Sequence, residues 1–260
     1  MIKHNYHTHT DYCDGSARPE ELVREALEKG FSCIGFSGHS HLPMGEDWCM
    51  SVKGTQDYKR EIAALKEKYR GRIEILCGVE QDIFSDLPPE GYDFVIGSVH
   101  YVRKNGKYYS VDESAQATER AVREAYGGSF DAFAADYFAL EAQVCRVTGC
   151  DIIGHFDLPS KFIDTLGPCE SEEYLRCARA AVSALIPYGK PFEINTGAMA
   201  RGYRKTPYPS PAILRMIHSE GGSVLYSSDC HKAGQLDYGY DDALKCAEDA
   251  GFTSMRLLPC

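Results

Sequence analysis

The chain has 260 residues, of which 43% are hydrophobic and 25% are charged, so it is long enough to bury a substantial core. No apolar run approaches the ~20 residues of a membrane-spanning helix, and the N-terminus lacks a basic-then-apolar signal pattern, so a cytoplasmic protein without a membrane partner is predicted. The formal net charge of −10 argues against a broad nucleic-acid-binding face.

The eleven cysteines are scattered along the chain and form no Cys-x-x-Cys pair. Two of them, Cys33 and Cys77, lie within apolar runs. This distribution predicts free, buried thiols in a reducing compartment rather than disulfides or a thiolate zinc site.

Short apolar runs alternate with helical periodicity from one end of the chain to the other. The runs predict strands at 2–6, 33–36, 73–79, 93–99, 151–154, 191–195 and 222–226, with a short final strand at 254–258. Asn105-Gly106, between two further short runs, is typical of a hairpin turn. No linker or low-complexity segment interrupts the pattern, so residues 1–260 are predicted to form a single domain.

Helices are predicted between these strands. The first begins at Pro19, with acidic residues in its first turn, and ends at Gly30. The second is capped by Thr55. The remaining helical segments, together with the second, are 56–69, 114–125, 130–147, 172–185, 213–219 and 241–250. A strand-helix-strand alternation of this kind predicts a parallel sheet with helices outside it.

Ligand-type side chains follow nearly every predicted strand. They are His7, His9, Asp14, His39, His41, Glu80, His100, His155, Glu193, Asp229 and His231. The carboxyl ends of the strands in a β/α barrel converge on one mouth, whereas an open sheet gathers ligands only at its switch point. Seven strand ends that carry such residues therefore favour a closed barrel.

Each of these side chains alone has an ordinary structural explanation, because a lone histidine after a strand is most often hydrogen-bonded or solvated. His7 and His9, at i and i+2, point to the same face of a strand and can offer two imidazole nitrogens to one metal ion. Several imidazoles and carboxylates in one pocket would repel or lose solvation unless cations held them. Their convergence therefore predicts a metal site.

The motifs at the strand ends also form an ordered set: His7-Thr8-His9, Gly38-His39-Ser40-His41, Gly78-Val79-Glu80, Ser98-Val99-His100, Gly154-His155-Phe156-Asp157, Phe192-Glu193-Ile194-Asn195 and Ser228-Asp229-Cys230-His231. This set resembles the polymerase and histidinol phosphatase (PHP) superfamily. The spacing, the chain length and the Gly-His-Ser-His motif resemble its histidinol-phosphate phosphatase branch. The resemblance covers residues 2 to about 232. It implies an α/β fold, a distorted (β/α)7 barrel with a metal site at the carboxyl ends of the strands.

The resemblance further implies three divalent transition-metal ions, which could be zinc, iron or manganese. The first would be held by His7, His9, Glu80 and Asp229, and the second by Glu80, as a bridge, with His100 and His155. The third would be held by His39, His231 and a residue of the loop after the first strand. Many relatives have a histidine in that loop, which this chain lacks. Asp14 is the substitute, with Asp11 as the alternative, and such an oxygen ligand favours harder ions.

The implied reaction is hydrolysis of L-histidinol phosphate, a small phosphate monoester. Cations stabilise the charge that develops on phosphate and acidify a bridging water, which attacks phosphorus as hydroxide. Catalytic roles fall to Glu80, Asp229 and His231, with Asp229 as proton acceptor. The resemblance points to His41, Lys161 and Arg201 as phosphate ligands, although Arg204 or Lys205 competes with Arg201. Glu193 and Asp157 are candidates for binding the cationic end of the substrate.

Other functions remain open from sequence alone. A PHP phosphoesterase could act on another small ester or a nucleotide, and a nuclease or amidohydrolase-like enzyme could share the barrel. A nuclease would need a basic track for the nucleic-acid backbone, which the chain lacks. A non-catalytic binding module would tolerate lost ligands, whereas nearly all are present here. A closed metal site for storage or structure is the remaining alternative. The sequence does not specify the oligomeric state.

Overall fold

The structure, a computed structural model, describes residues 3–167 and 169–258. Within them the strands are β1 (Lys3–Asn5), β2 (Phe31–Phe36), β3 (Glu74–Asp82), β4 (Phe94–Ser98), β5 (Tyr101–Lys104), β6 (Lys107–Ser110), β7 (Ile152–Ile153), β8 (Phe192–Asn195) and β9 (Val224–Ser227). The helices of the same residues are α1 (Pro19–Glu28), α2 (Val52–Lys68), α3 (Ala115–Ala125), α4 (Phe130–Glu141), α5 (Val144–Thr148), α6 (Ile163–Leu166), α7 (Glu172–Leu185), α8 (Gly197–Ala200), α9 (Pro211–Ser219) and α10 (Tyr240–Ala250).

The central sheet consists of parallel strands in the order β1-β2-β3-β4-β7-β8-β9. Its two outer strands meet at their carboxyl ends, where Thr8 and Cys230 form a parallel bridge. The His9 amide donates to the Cys230 carbonyl at 2.8 Å, and the Cys230 amide donates to the His7 carbonyl at 3.2 Å. The outer strands therefore meet at the mouth, as the predicted barrel requires, and the predicted α/β fold with seven parallel strands is confirmed.

An apolar layer fills the barrel below its mouth. The Phe94 ring occupies the centre of this layer and is 2% exposed. A Cβ atom built on Gly78 would lie 2.3 Å from the Phe94 ring, and one on Gly35 would lie 2.8 Å from it. Because real Cβ atoms do not come so close, only glycine at both positions leaves room for the ring. The polar side chains of the mouth therefore lie directly above an apolar layer.

The helices pack around the barrel through apolar faces. In α1, the Glu21 carboxylate accepts a hydrogen bond from the Arg18 amide at 3.1 Å, and Leu22, Val23 and Ala26 are buried. This hydrogen bond from the Arg18 amide and the Pro19 start explain why the helix begins where the sequence predicts. No helix within the described ranges is both long enough and apolar enough to cross a membrane.

Some predicted boundaries are wrong. Helix α2 begins at Val52 rather than after Thr55, because the Ser51 hydroxyl accepts a hydrogen bond from the Gly54 amide and caps the helix first. The predicted helix 130–147 is divided into α4 and α5. The segment 254–258 is not a strand, although the Arg256 amide donates to the Val224 carbonyl at 2.7 Å.

Other local predictions hold. The hairpin of β5 and β6 turns at Asn105 and Gly106, both of which have positive φ, as a tight two-residue turn requires. The ten described cysteines are free, as predicted, and five of them are buried. Cys260 and Ile2, the first residue of the predicted first strand, lie outside the described residues.

Candidate metal centre

Glu80 lies at the centre of a polar cluster at the barrel mouth and is 1% exposed. Its Oε2 atom is 3.0 Å from His7 Nε2, 3.0 Å from His39 Nδ1 and 3.4 Å from His9 Nε2. These histidines come from the ends of the first two strands of the barrel, and β3 carries Glu80 between them and β4. One carboxylate oxygen therefore faces three imidazoles.

The other oxygen of Glu80 faces the opposite side of the mouth. Glu80 Oε1 lies 2.8 Å from His155 Nε2 and 3.2 Å from His100 Nε2, and it accepts a hydrogen bond from Ser98 Oγ at 2.7 Å. Glu80 thus spans two sets of imidazoles, which is the geometry expected of a bridging ligand.

Asp229 joins the first set from the end of β9. Its Oδ1 atom is 3.3 Å from His9 Nε2 and 3.7 Å from His7 Nε2, and the donor atoms of these three residues all lie within 4.8 Å of one another. Asp229 has φ of +48°, an uncommon conformation for a residue other than glycine. Such strain is typical of functional positions.

A further set surrounds Asp14, in the loop after β1. Asp14 Oδ2 is 3.1 Å from His231 Nε2, and Asp14 Oδ1 is 3.6 Å from His39 Nε2 and 3.5 Å from His9 Nδ1. The donor atoms of these four residues lie within 4.8 Å of one another. The structure therefore brings Asp14 to the position for which the sequence left Asp14 and Asp11 as alternatives.

Asp11 lies elsewhere, and its charged neighbours are Glu61, Arg18 and Glu21 rather than the histidines of the mouth. Burial raises the pKa of the Asp11 carboxyl, and Glu61 raises it further. The structure thus does not bring Asp11 to the cluster.

The donor set fits divalent transition metals. Imidazole nitrogens with carboxylate oxygens are ligands that zinc, iron and manganese accept. His9 Nε2 is buried and has no hydrogen-bond partner within the described part of the chain, although it faces two carboxylates. A buried ring nitrogen without a hydrogen-bond partner costs free energy unless a ligand binds to it. The cluster therefore has the chemistry and the open donor of a metal site.

The charges of the cluster are strongly coupled. Burial disfavours a charged His7, but the Glu193 and Glu80 carboxylates outweigh burial and hold the pKa of His7 well above its usual range. In return, the surrounding histidines hold the pKa of Glu80 well below its usual range against the effect of burial. Burial and two neighbouring imidazoles lower the pKa of His9 to about 3, so His9 is neutral. Without cations, protons thus balance part of the negative charge.

Glu193 supports the cluster from beneath, which corrects the prediction that it binds the substrate. It is fully buried, its Oε1 is 2.6 Å from His7 Nδ1, and its Oε2 accepts hydrogen bonds from the His155 amide and Asn195 Nδ2, both at 2.9 Å. In the sheet register Glu193 is level with Leu225, in the layer below the mouth. Its carboxylate therefore orients His7 and does not reach the cavity.

Asp82, which is not among the residues predicted from the sequence, supports His100 in the same way. Asp82 Oδ2 lies 3.0 Å from His100 Nδ1 and accepts a hydrogen bond from the His100 amide at 2.9 Å. Asp82 is two residues beyond Glu80 on β3, so both side chains lie on the same face. That spacing is the sequence signal that could have revealed it.

The mouth opens into a cavity of about 440 Å³. Besides the cluster, its walls carry two cationic groups, several acids and aromatic rings, namely Lys161, Arg201, Glu46, Asp112, Glu113, Trp48, Tyr101, Tyr203 and Tyr208. Of these, only Lys161 and Arg201 were singled out from sequence. Because ligand-type groups of the cluster face this space, the site is accessible to a small molecule.

Both cations are held in place by acids. Lys161 Nζ lies 2.9 Å from Asp112 Oδ2 and donates to the Asp112 carbonyl at 2.8 Å. Arg201 Nη2 lies 2.9 Å from Asp229 Oδ2, and Arg201 Nη1 contacts His231 Nδ1 at 2.8 Å. Although burial opposes ionisation, Lys161 above all holds the pKa of Asp112 at about 2. Lys161 and Arg201 are therefore pre-oriented towards the cavity.

The structure does not bring His41 or Asp157 to the cavity, which corrects both predicted roles in substrate binding. His41 lines a different cavity, and its Nδ1 is 2.7 Å from Asp86 Oδ1. The alternation of a strand ends at Ser40, so His41 does not repeat the direction of His39. Asp157 is fully buried, accepts a hydrogen bond from the Ser210 amide at 3.1 Å and thereby pins a loop.

The alternatives to Arg201 also lie outside the cavity. Arg204 is buried and donates to Ser160 Oγ at 2.6 Å and to the Pro207 carbonyl at 3.1 Å. Lys205 is exposed to solvent. Among these three basic residues, Arg201 is the one that lines the cavity.

Comparisons with known proteins agree with this geometry. The profile of the PHP domain matches residues 5–197. A Deinococcus radiodurans protein named "Probable histidinol-phosphatase" is 30% identical, over 94% of this chain and 92% of its own length. The histidinol-phosphatase of Bacillus subtilis is 26% identical, over 94% of this chain and 99% of its own length.

A solved structure extends the likeness to the fold. The histidinol phosphate phosphatase of Lactococcus lactis, in complex with zinc, L-histidinol and phosphate, superposes with a TM-score of 0.70. The match covers 97% of this chain and 95% of that chain at 21% identity. At this level of identity, the likeness supports the same arrangement of strands and helices.

Proposed function

This chain belongs to the PHP domain family, and we propose that it hydrolyses L-histidinol phosphate to L-histidinol and phosphate, as one catalytic domain of histidine biosynthesis. The main support is the cavity in which a buried imidazole and carboxylate cluster lies beside Lys161 and Arg201. The Lactococcus lactis relative binds L-histidinol and phosphate together with zinc, the products of this reaction and a metal of the expected class.

The cluster would hold three divalent ions, zinc, iron or manganese. The first would be held by His7, His9, Glu80 and Asp229, the second by Glu80, His100 and His155, and the third by Asp14, His39 and His231. When bound, such ions supply Lewis-acid stabilisation of the phosphoryl oxygens and bring the pKa of a water molecule towards neutrality. The open cavity beside these residues favours a catalytic site over a closed storage or structural one.

Residues beyond the ligands would bind the phosphate and move the proton. Lys161 and Arg201 would pair with the dianionic phosphate and stabilise charge on its oxygens in the transition state. Arg201 and His7 hold the pKa of Asp229 well below its usual range against burial, so Asp229 is ionised. Asp229 would accept the proton of the attacking water, and His231 Nδ1, 3.4 Å from Asp229 Oδ1, would keep that carboxylate in position.

The proposed function is tested by phosphate release from a panel of monoesters, measured together with the metal content of the purified protein. We expect L-histidinol phosphate to have the highest kcat/KM and elemental analysis to return three ions per chain. A preference for a nucleotide or another small ester would reassign the substrate within the family. One ion or fewer in active protein would contradict the trinuclear site, while a count of two would point to the Asp14 set as the weak one. A cytoplasmic location and the absence of nucleic-acid or membrane partners stay predictions.

Chelation should destabilise the protein more at pH 8 than at pH 5.5. In the metal-free fold the pKa of His7 is raised, so its protonated form stabilises the fold below the unfolded pKa of about 6.5. This contribution is lost as pH rises through the higher folded pKa. Metal binding instead requires a deprotonated His7. Its binding free energy therefore becomes more favourable by up to ~1.4 kcal/mol per pH unit for each proton displaced. The measurement is Tm with and without chelator at both pH values. An equal loss of Tm at pH 8 and pH 5.5 would contradict the prediction.

Glu193→Gln should weaken metal binding and lower kcat about tenfold, without changing the preference among substrates. The amide cannot offer His7 Nδ1 and the His155 amide the same pair of charged acceptors, and such supporting changes cost 10–100-fold in metal affinity or activity. Metal titration and kinetics with two substrates measure this. A selective loss for L-histidinol phosphate would instead restore the substrate-binding role first predicted for Glu193. Glu172→Gln, at the exposed start of α7, is the control.

A further inference from the structure

The cavity has two chemically different walls. The loops after β7 and β8 supply Lys161 and Arg201, whereas the loop after β2 supplies Glu46 and Trp48. In the ring of strands, β3 and β4 separate β2 from β7 on one side, and β9 and β1 separate β2 from β8 on the other. A basic wall and an acidic, aromatic wall therefore face each other across the mouth.

Glu46 lines the cavity and has no basic partner among the residues that the structure describes. Four other acids that line the cavity contact basic side chains, namely Asp14, Glu80, Asp112 and Asp229. Within the described residues, Glu46 and Glu113 line the cavity without an ion pair. Glu113 is exposed to solvent, but Glu46 is half-buried. A half-buried carboxylate that lacks a basic partner favours a cationic or N–H group brought by a ligand.

The position of Glu46 is fixed by its surroundings. The Tyr101 side chain lies beside those of Glu46 and Trp48. The Cys49 amide donates to the Glu46 carbonyl, and the Met50 amide donates to the His39 carbonyl, both at 3.2 Å. These backbone bonds hold the loop against the metal centre and keep the carboxylate at the cavity wall.

Trp48 gives the same wall a flat surface. Its ring lies nearly parallel to that of Tyr101, with centroids 6.3 Å apart and planes at 17°. Its edge contacts His39 at a centroid distance of 4.6 Å, so the indole stands at the rim of the metal centre. An indole beside a carboxylate suits a planar ring that carries positive charge, through cation–π and stacking contacts.

We propose that Glu46, with Trp48 beside it, binds the imidazole ring of the substrate and thereby selects L-histidinol phosphate over esters without that ring. This inference rests on the proposed function. The phosphate would lie against the metal centre and the basic wall, so the rest of the molecule extends towards the acidic wall. There the imidazole N–H donates to the Glu46 carboxylate, and the ring lies against the indole.

The test compares metal-loaded wild type, Glu46→Gln and the control Glu113→Gln. Calorimetry gives the Kd of L-histidinol and, separately, of inorganic phosphate, while kinetics give kcat/KM for L-histidinol phosphate and for p-nitrophenyl phosphate. In Glu46→Gln we expect the Kd of L-histidinol to rise and kcat/KM for its phosphate to fall, each by about ten- to hundredfold. The Kd of phosphate and the p-nitrophenyl phosphate rate should change by less than about threefold. Glu46→Asp, which keeps the charge, should recover part of the loss.

Three outcomes would overturn the proposal: an unchanged Kd of L-histidinol in Glu46→Gln, an equal loss for both substrates, or a selective loss in Glu113→Gln instead. The first result would show that Glu46 does not contact the imidazole ring of L-histidinol. The second would show that Glu46 supports the metal centre, which both substrates share. Wild type that binds L-histidinol but releases no phosphate from its ester would defeat the proposed function and leave the Glu46 site standing. The two failures are therefore distinguishable.

Discussion

Glu80→Gln should lower kcat/KM at least about a hundredfold while the fold survives. The carboxylate of Glu80 contacts imidazoles on both sides of the mouth. A glutamine has the same size and can still accept the Ser98 hydrogen bond, but it presents an amide nitrogen where one oxygen stood. It also leaves several buried imidazoles without their shared negative charge.

The measurements for this variant are kinetics, metal content and a folding check by circular dichroism. Glu74→Gln, at the exposed first residue of the same strand, is the matched control and should behave as wild type. Because a bridge sets the separation of two cations, we expect Glu80→Gln to retain fewer than three ions. Near-wild-type activity in Glu80→Gln would rule out the bridging role.

Arg201→Ala should lower kcat/KM about a hundredfold for every phosphate monoester alike. The guanidinium faces the cavity, so its loss removes stabilisation of charge that develops on phosphate, whatever the leaving group is. The substitution also leaves the Asp229 carboxylate without its 2.9 Å partner, which disturbs the proposed proton acceptor. Both effects act on the shared phosphoryl group and not on the rest of the substrate.

The comparison uses L-histidinol phosphate and p-nitrophenyl phosphate with wild type, Arg201→Ala and Arg201→Lys. The lysine variant keeps the charge but loses the planar fork, so we expect it to recover only part of the rate. Arg215→Ala, an exposed position on α9, controls for loss of a surface charge. If Arg201→Ala spared p-nitrophenyl phosphate, Arg201 would bind the remainder of the substrate and not its phosphate.

Much of the site follows from the sequence because parallel strands end on the same side of a sheet. His7, Glu80, His155 and Asp229 each come at or just past the end of an apolar run, and the structure brings all four together. The order of strands in the barrel is also the order in the chain, so no unusual connection had to be foreseen.

The depth of a side chain within the barrel does not follow from the sequence. Glu193 and Asp229 both belong to strand-end motifs, yet Glu193 is level with the apolar Leu225, whereas Asp229 comes four residues after Leu225, past the end of β9. That difference depends on the stagger between neighbouring strands, which is set only when the barrel closes. Glu193 therefore resembled a cavity residue in the sequence although it lies beneath the cluster.

Loop geometry was equally hidden. His41 follows His39 at the spacing of a strand, but the strand pairing has ended, so the side chain leaves the mouth. Glu46 and Trp48 lie in an irregular loop whose path is fixed by backbone hydrogen bonds, including one from Met50 to His39, and no periodicity predicts such contacts. The acidic wall of the cavity therefore became visible only in three dimensions.

Closure of the barrel between Thr8 and Cys230 has a consequence for how the protein is made. His7 and His9 are synthesised near the start of the chain, whereas Asp229, which lies beside them in the fold, is added more than two hundred residues later. Before β9 is synthesised, the nascent chain contains only some of the histidines and carboxylates of the cluster. Completion of the proposed metal centre would therefore depend on β9, and a chain truncated before β9 would lack Asp229, His231 and the bridge that joins the outer strands.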